Sequence, residues 1–493
     1  MSTRRGAERA ARPQRPRLEP GSGRDYPWLR SMTATPLSPE DLTFWYADQP
    51  RQRTTMALLM LLDRRADGER LRAAAMRAVE VVPRLRQRVV DAPFGLAMPR
   101  WEDDPTFDLD FHVRRYRLPA EVGEREALEG LFHTVGPIYE RPFDRTRPLW
   151  ELIEIESPGD HAAVFFRLHH AVADGVGGNT ILAALTDAER EGDPLPPPPH
   201  EAPGAWREPG LARRLAGALG QRLAEDAARR RALAGAALDA VRHPDRIARA
   251  ARIATSFVAD ATYRRQSPLQ DFGRSRHLSG IELPFEPLRQ LKRRLGGRMI
   301  DLLLAGVAGA VGAWHEAHDM GDVEELLTLV PINLRPRAEH NERAGLGNRA
   351  SAIIVRLPIR EKDPLHRLEE IRTRVEARKR HPASEAAPAL AAAMATLPRW
   401  LYRALAYQSS GAIELIVTNI PGIPVARYLA GAEITGAYPF APVASRCPVS
   451  IALYGYRGRL YIGLDADGTS MPDLDAFKAM LAASFEELVT SLG

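Results

Sequence analysis

Two adjacent histidines, His169 and His170, are the residues of this sequence whose type and position best suit acid–base chemistry. An imidazole with a pKa of about 6.5 can take a proton from a hydroxyl group at neutral pH, so either ring is a candidate general base. Asp174 follows His170 by four residues, and its carboxylate either orients that ring or holds the turn through a neighbouring arginine. Because adjacent residues of a strand point to opposite faces, only one of the two histidines can face a given cavity.

Three other interpretations of the histidine pair have less support. A metal site needs third and fourth ligands at suitable spacing, and adjacent histidines do not easily bind one ion, so we predict no metal. A covalent nucleophile would need a G-x-S-x-G elbow or a reactive cysteine, but no such elbow occurs and Cys447 follows a loop-like Ala-Ser-Arg segment. A purely structural pair that ends a buried strand would not need the glycines that follow it.

The elements that must position these groups can be predicted from the flanking sequence. Residues Ala162–Leu168 are an apolar, aromatic run of strand length that ends at the two histidines. Gly175 and Gly178 lie in the turn that follows, where missing side chains leave room for a substrate near the backbone. A helix is predicted from Asn179 to Glu189. Strand ends that lead through such turns into helices commonly carry catalytic groups in α/β proteins.

The segment from His169 to Gly175 resembles the His-His-x-x-x-Asp-Gly signature of the bacterial wax ester synthase/acyl-CoA:diacylglycerol acyltransferase family. That family is similar to the wider group of CoA-dependent acyltransferases and to peptide-synthetase condensation domains. Six further segments resemble elements of the lipid family in the same order: Leu37–Phe44, Phe107–Val113, Pro148–Trp150, Val330–Arg335, Leu346–Arg349 and Thr418–Gly422. One departure is Ile300, which precedes Asp301 where the family usually has an asparagine, and this change would alter substrate preference or lower activity.

The resemblance implies an α/β fold of two chloramphenicol-acetyltransferase-like lobes, mixed sheets flanked by helices, with a tunnel between the lobes. It implies that His170 is the general base in that tunnel, with acyl-CoA entering at one mouth and a lipid alcohol at the other. The acyl group would pass directly to diacylglycerol or a long-chain alcohol, without an acyl-enzyme and without a cofactor, since acyl-CoA is a substrate. Asn419 and backbone amides of the glycine-rich turn are candidate oxyanion donors, and Asp301 is a candidate residue near the substrate.

Two alternatives to ester synthesis remain open at this point. Because Ile300 replaces the usual asparagine, the protein could be a catalytically weak lipid-binding factor of droplet or membrane surfaces. A condensation-like enzyme that forms amides is the second alternative. An assay of acyl transfer to lipid alcohols distinguishes all three functions.

Composition and charge limit the class of protein. The chain has 493 residues, enough for two domains, and its 45% hydrophobic and 27% charged residues are typical of a globular protein. Residues 1–35 carry eight arginines and three acidic residues, which accounts for the net charge of +5. The rest of the chain is close to neutral, so no nucleic-acid partner is expected.

The longest apolar run, Leu302–Trp314, has about 13 residues and predicts a buried helix. Cys447 is the only cysteine and the N-terminus lacks an apolar signal region, so we predict a cytoplasmic protein, peripheral at the inner membrane face or at lipid droplets.

The chain divides by composition into four segments. We predict a disordered basic tail over 1–35, a first lobe over 36–193, a proline-rich and then helical Arg/Ala-rich connector over 194–276, and a second lobe over 277–493. Leucines recur every four residues on one face of the connector helix, at Leu211, Leu215, Leu219 and Leu223. This helix either packs on the body or lies on an anionic lipid surface.

The second lobe shows its own strand and helix signals. Strands are predicted over 326–330, 352–357 and 413–418. Residues 448–467 predict a hairpin with Arg457-Gly458 as its turn, and Asp473 is placed to cap the last helix.

Overall fold

The computed structural model describes residues 34–491, with gaps at 51, 118–126, 157–161, 193–209, 244–254, 256–262, 271–274, 334–349, 382–391, 396, 398 and 444–445. Almost all of the predicted basic tail, the proline run Pro194–Pro199 and the motif Leu346–Arg349 lie outside the described residues. The strands are β1 (Ala34–Pro36), β2 (Thr55–Leu62), β3 (Gln87–Val90), β4 (Arg100–Asp103), β5 (Val113–Arg117), β6 (Trp150–Glu156), β7 (Ala162–His169), β8 (Arg276–Pro284), β9 (Glu325–Asn333), β10 (Ala350–Pro358), β11 (Leu415–Ile423), β12 (Tyr428–Leu429), β13 (Ala432–Phe440), β14 (Val449–Tyr456) and β15 (Arg459–Asp467). The α-helices are α1 (Pro39–Ala47), α2 (Gly68–Val81), α3 (Leu109–His112), α4 (Ala127–Glu140), α5 (Gly175–Leu185), α6 (Leu211–Arg242), α7 (Glu286–Leu295), α8 (Met299–Ala317), α9 (Pro364–Arg380), α10 (Arg399–Ser410) and α11 (Leu474–Thr490).

Two mixed sheets, each flanked by helices, form two lobes, which confirms the predicted fold class. The first sheet has the strand order β12-β13-β2-β7-β6-β5 and the second has the order β10-β9-β11-β14-β15-β8. Strand β7 is buried along its whole length because it lies between β2 and β6 with both faces covered. This position explains why residues Ala162–Leu168 are apolar almost without interruption.

The second lobe has its own core of strands and helices. Helix α8 is buried on nearly all sides and packs against α9 and α11, as the apolar run Leu302–Trp314 predicts. A Cβ at Gly306 would collide with the Phe485 ring, so this glycine allows α8 and α11 to approach closely. No single helix among the described residues is long and apolar enough to cross a membrane; by length and composition only the bent pair α7 and α8 passes that test.

One strand from the second half of the chain joins the first lobe. Residues 432–440 form β13, which pairs antiparallel with β2 so that Tyr438 lies opposite Leu59. The boundary predicted at residue 277 therefore does not separate the two sheets. Nothing in the sequence composition indicated that a strand from the second half would join the first sheet. The consequence is that β13 links both lobes next to the space between them.

Most local predictions for the second lobe are confirmed. Strands β9 and β10 and the hairpin β14–β15 lie where predicted, and Arg457 and Gly458 both have positive φ angles, of 47° and 77°, in the tight turn. Asp473 accepts a hydrogen bond from the amide of Ala476 and so caps α11.

Two predicted element boundaries are wrong. The helix after the histidines runs over Gly175–Leu185 rather than Asn179–Glu189, because Asp174 caps it at an earlier position. The strand predicted over 413–418 is Leu415–Ile423. Its continuation past Asn419 is set by pairing with β14, which the local sequence does not reveal.

Candidate active site

His169 lies at the end of β7 and is a buried, neutral residue. Its side chain is 2% exposed, and the amide of Ala171 donates a hydrogen bond to Nδ1 at 3.0 Å. Nδ1 is therefore unprotonated, and Nε2 carries the proton that it donates to the Thr54 hydroxyl at 2.9 Å. Burial lowers the pKa of His169 to about 4, although Asp48 lies 3.9 Å from Nε2. Both nitrogens of this ring hold the turn in place, so neither is available to a substrate.

His170 faces the other way and lines a cavity together with Phe166 and Leu168, its alternate neighbours on the chain. Its backbone amide donates to the carbonyl oxygen of Thr54 at 2.8 Å. The imidazole stacks on the ring of Phe44 from α1, with centroids 3.7 Å apart and planes inclined by 12°. Because Nδ1 is buried, Nε2 is the nitrogen that can reach a molecule in the cavity.

The Pro148–Trp150 segment positions the strand end that carries both histidines. The carbonyl oxygen of Leu149 accepts a hydrogen bond from the amide of His169 at 2.9 Å. The indole of Trp150 is buried, donates to Leu85 at 2.7 Å and stacks on His112. Burial lowers the pKa of His112 to about 4, and its Nδ1 lies 2.8 Å from the Trp150 carbonyl, so this histidine belongs to the core.

Asp174 organises the turn between β7 and α5. Its Oδ1 accepts hydrogen bonds from the amides of Val176 at 3.1 Å and Gly177 at 2.8 Å, the arrangement of a helix N-cap. The amide of Gly178 donates to the Asp174 carbonyl at 2.7 Å. Two of the backbone amides considered as oxyanion donors, those of Gly177 and Gly178, are therefore already engaged.

The cavity lies between the lobes and has an empty volume of about 1170 Å³ including its open mouth. From the first lobe it is lined by Phe44, Met56, Ala57, Leu58, Phe166, Leu168, His170, Asp174, Gly175, Gly178, Asn179 and Leu182, and from the second half of the chain by Leu329, Pro331, Ala352, Ile416, Thr418, Ile420, Pro439, Phe440, Ala441, Pro442 and Tyr454. The wall is predominantly apolar, which suits hydrocarbon chains. Within the described part of the chain, no cluster of three or more His, Cys, Asp or Glu side chains could hold a metal ion.

The two lobes touch directly beside His170. A Cβ at Gly175 would lie 3.7 Å from the side chain of Ile420 on β11. The side-chain amide Nδ2 of Asn179 on α5 donates to the carbonyl oxygen of Pro421 at 2.5 Å. At Gly178, by contrast, a Cβ would meet nothing within 4 Å, so this face of α5 is open to the cavity.

Two residues predicted from the sequence lie away from the cavity wall. Thr418 and Ile420 line the cavity, whereas Asn419 between them does not, as the alternation of a strand requires. Asp301 is buried in the second lobe and accepts a hydrogen bond from the amide of Arg298 at 3.1 Å, which caps α8. Ile300 packs against the core of the same lobe.

Several cavity residues were not identified as site residues from the sequence. Thr418 and Tyr454 contribute hydroxyl-bearing side chains from β11 and β14, and residues 439–442 reach the cavity through β13. Burial raises the pKa of Tyr454, whose hydroxyl is buried and has no hydrogen-bond partner among the described residues. The motif Thr418–Gly422 was the only sequence signal near these positions.

Comparisons with known proteins agree with this geometry. The family model of the wax ester synthase/diacylglycerol acyltransferase catalytic domain matches residues 37–303, and that of the WS/DGAT C-terminal domain matches residues 346–489. The chain is 30% identical over 459 residues to a Mycobacterium tuberculosis protein named as a diacylglycerol O-acyltransferase, covering 90% of this chain and 89% of that protein. A second protein of that organism with the same description is 30% identical over 429 residues, covering 83% and 86%.

Solved structures share the fold. The wax ester synthase/diacylglycerol acyltransferase from Marinobacter aquaeolei VT8 superimposes with a TM-score of 0.60 at 20% identity, covering 92% of this chain and 98% of that one. The first condensation domain of the calcium-dependent antibiotic synthetase superimposes with a TM-score of 0.59 at 16% identity, covering 93% and 96%. At these identities the two structures support the two-lobed architecture alone.

Proposed function

Because the chain belongs to the wax ester synthase/diacylglycerol acyltransferase family, and is therefore an acyltransferase, we propose that it transfers an acyl group from acyl-CoA to the hydroxyl of a lipid alcohol. The acceptors proposed are diacylglycerol, which gives triacylglycerol, and long-chain alcohols, which give wax esters. The observation that carries this proposal is the position of His170 on the wall of an apolar cavity between the lobes. A basic nitrogen in an apolar cavity suits a substrate that carries one reactive hydroxyl group on a hydrocarbon chain.

The proposed reaction is a direct transfer with His170 as general base. Nε2 takes the proton of the acceptor hydroxyl while its oxygen attacks the thioester carbonyl carbon. The tetrahedral intermediate then collapses, the carbon–sulfur bond breaks, and the imidazolium returns the proton to the departing CoA thiolate. The imidazole is regenerated, so no acyl-enzyme and no cofactor are needed. General base catalysis of this kind contributes about 10²–10⁴-fold to the rate.

Thr418 is the side chain that we assign to the negative charge on the carbonyl oxygen. The backbone amides of Gly177 and Gly178 already donate hydrogen bonds to Asp174. Asn419 does not line the cavity, and the hydroxyl of Tyr454 is buried. Thr418 is half-buried and lines the cavity from β11 of the second lobe. A hydroxyl on the cavity wall can donate a hydrogen bond to the oxyanion as it forms.

The apolar wall of the cavity has a second role in this proposal. Water that reached His170 would be activated in the same way as an alcohol, and it would hydrolyse the thioester. Apolar residues from both lobes, such as Leu168, Ile420 and Phe440, disfavour water in the cavity and so favour transfer over hydrolysis. Entry of acyl-CoA and of the lipid alcohol from opposite mouths of a tunnel would keep the two substrates apart until both reach the histidine.

The experiment is an assay of CoA release from palmitoyl-CoA by the purified full chain, with product analysis. Release should require diacylglycerol or hexadecanol, and His170→Ala should lower it at least about 10²-fold. His133→Ala, at an exposed histidine on α4, is the control and should retain full activity. Equal turnover by wild type and His170→Ala would reject His170 as the base.

The same assay addresses the alternative of a weak lipid-binding protein. That alternative predicts lipid binding without turnover for every acceptor tested. Diacylglycerol and hexadecanol supplied in competition would show which ester is preferred.

We place the reaction in the cytoplasm at a lipid surface, since Cys447 is the only cysteine of the chain and both proposed substrates carry long hydrocarbon chains.

A further inference from the structure

Exposed apolar side chains are concentrated on three neighbouring segments of the protein. Eleven large apolar side chains are exposed among the described residues, and eight of them lie on α6, on α10 and on the 91–98 loop. They are Leu211, Leu219 and Leu223 on α6, Trp400, Leu405 and Tyr407 on α10, and Phe94 and Leu96 on the loop. Single exposed apolar residues are ordinary, but a concentration of this kind marks an interaction surface.

The 91–98 loop joins the two helices into one region. Gln221 on α6 donates to the carbonyl oxygen of Met98 at 3.0 Å, and Glu225 accepts from the amide of Met98 at 3.2 Å. On the other side of the loop, Arg399 at the start of α10 lies 3.7 Å from the carboxylate of Asp91. These contacts fix α6 and α10 beside the same short segment.

Helix α6 does not bury the side of the helix on which its leucines recur. Ala218 is 2% exposed and packs with Arg214 and Gln221 against the loop, whereas Leu219 and Leu223 are 55% and 63% exposed. Three of the four leucines on this face, Leu211, Leu219 and Leu223, are thus exposed, and Leu215 is half-buried. Of the two alternatives for this helix, the structure shows packing on the body through Ala218 and Gln221, while Leu219 and Leu223 stay exposed.

Charge accompanies the apolar side chains on the same helices. Helix α6 carries seven arginines and three acidic residues, and α10 carries two arginines and no acidic residue. Helices that lie in the interface of an anionic lipid layer typically combine leucine, tryptophan and tyrosine with arginine. A protein partner would not require this excess of positive charge.

The region is also connected to the cavity. The hydroxyl of Tyr402 on α10 donates to the Thr43 hydroxyl at 2.7 Å, and the next residue, Phe44, lines the cavity and stacks on His170. Helix α10 therefore contacts α1 at the residue that precedes one of the cavity-lining side chains.

We propose that α6, α10 and the 91–98 loop form a docking surface for an anionic phospholipid layer, from which the lipid acceptor passes into the cavity. This rests on the proposed function only for the direction of substrate entry; binding to the lipid surface stands on the exposed side chains and their charge. Leu219, Leu223, Trp400 and Phe94 insert among the acyl chains, and the arginines contact the headgroups.

The test is flotation of the full chain with vesicles of phosphatidylglycerol and phosphatidylcholine, compared with phosphatidylcholine alone. Binding should require phosphatidylglycerol and weaken with added salt. Leu219→Glu/Leu223→Glu and Trp400→Ser should each reduce partitioning by about tenfold or more. Val81→Glu/Val425→Glu is the matched control, because these two side chains are 56% and 59% exposed outside the region, and it should float like wild type.

Turnover with a short-chain acyl-CoA and a water-soluble alcohol, without vesicles, separates this proposal from the proposed function. Surface variants that lose flotation but retain this turnover support the docking surface. Unchanged flotation of Leu219→Glu/Leu223→Glu, or an equal loss in the control pair, would overturn it. So would a wild-type dimer that the surface substitutions dissociate, because a second copy of the chain would then cover these residues. Absence of turnover in wild type, with flotation intact, would count against the enzymatic function alone.

Discussion

The ring of Phe44 lies nearly parallel to the imidazole of His170, with centroids 3.7 Å apart. Phe44 comes from α1 and His170 from the turn after β7, so two distant parts of the first lobe meet at this contact. Stacking restricts rotation of the imidazole about its side-chain bonds and keeps Nε2 towards the cavity. The histidine is thus held by a flat apolar surface on one face as well as by its backbone.

Replacement of Phe44 should separate ring stacking from simple filling of space. Phe44→Leu retains most of the volume but removes the flat surface, so we expect kcat to fall on the order of tenfold through misplacement of the base. Phe44→Tyr keeps the ring and serves as the control. Steady-state kinetics and a thermal melt of both variants are the measurements. A Phe44→Leu enzyme with unchanged kcat would show that stacking has no role in catalysis.

His169 should make stability depend on pH in a defined direction. Its pKa is about 4 when folded, below the value of about 6.5 for a free imidazole, so the unfolded chain binds a proton that the folded chain does not. The unfolding free energy is therefore complete above pH of about 6.5 and falls, by roughly 3 kcal/mol at most, as the pH drops towards 4. His169→Gln removes the titrating group. Denaturant titrations across this range should show a smaller slope for the variant, and identical slopes would contradict the assignment.

Asp174 should tolerate loss of charge better than loss of its oxygen. Its Oδ1 caps α5, and an asparagine oxygen can accept the same two hydrogen bonds. Asp174→Asn should therefore stay near wild type in stability and activity, while Asp174→Ala should lose about 1 kcal/mol of unfolding free energy and much of kcat. Chemical denaturation and the CoA-release assay measure both. If the asparagine variant is as inactive as the alanine variant, the negative charge itself is needed.

Gly178 offers a way to obstruct the cavity without disturbing the fold. A side chain there has open space in front of it, so Gly178→Trp should fold normally and fill part of the cavity. We expect long-chain acceptors to lose turnover at least about tenfold more than short-chain ones, since only the former need the full space. Gly210→Trp, also at a position with open space but outside the cavity lining, is the control. Equal effects on all chain lengths would argue against a substrate at Gly178.

Thr418→Val should distinguish an oxyanion donor from a wall residue. The substitution keeps the shape and removes the hydroxyl, so we expect kcat to fall about 10²–10³-fold with little change in KM. Tyr454→Phe is the comparison: its hydroxyl is buried, and its loss should leave kcat nearly unchanged. A reversed outcome would move the assignment to Tyr454.

Much of the local structure was determined by the sequence itself. The apolar run of β7, the Arg457-Gly458 turn and the cap at Asp473 each depend on residues within a few positions of one another. Short-range hydrogen bonds and side-chain alternation are encoded in a short stretch of chain, and so a single sequence predicts them. Alternation also established that only one histidine could face the cavity.

Residue alternation did not decide which histidine that is; the family resemblance implied His170, and the tertiary structure supplies the physical reason. His169 is occupied because β2 brings Thr54 to its Nε2, and His170 is held because α1 brings Phe44 over its ring. The entry of β13 into the first sheet and the exposure of Leu219 and Leu223 on α6 have the same origin. Each depends on contacts between segments far apart in the chain, whose free energies balance only in the assembled fold, so no local pattern of residues carries them.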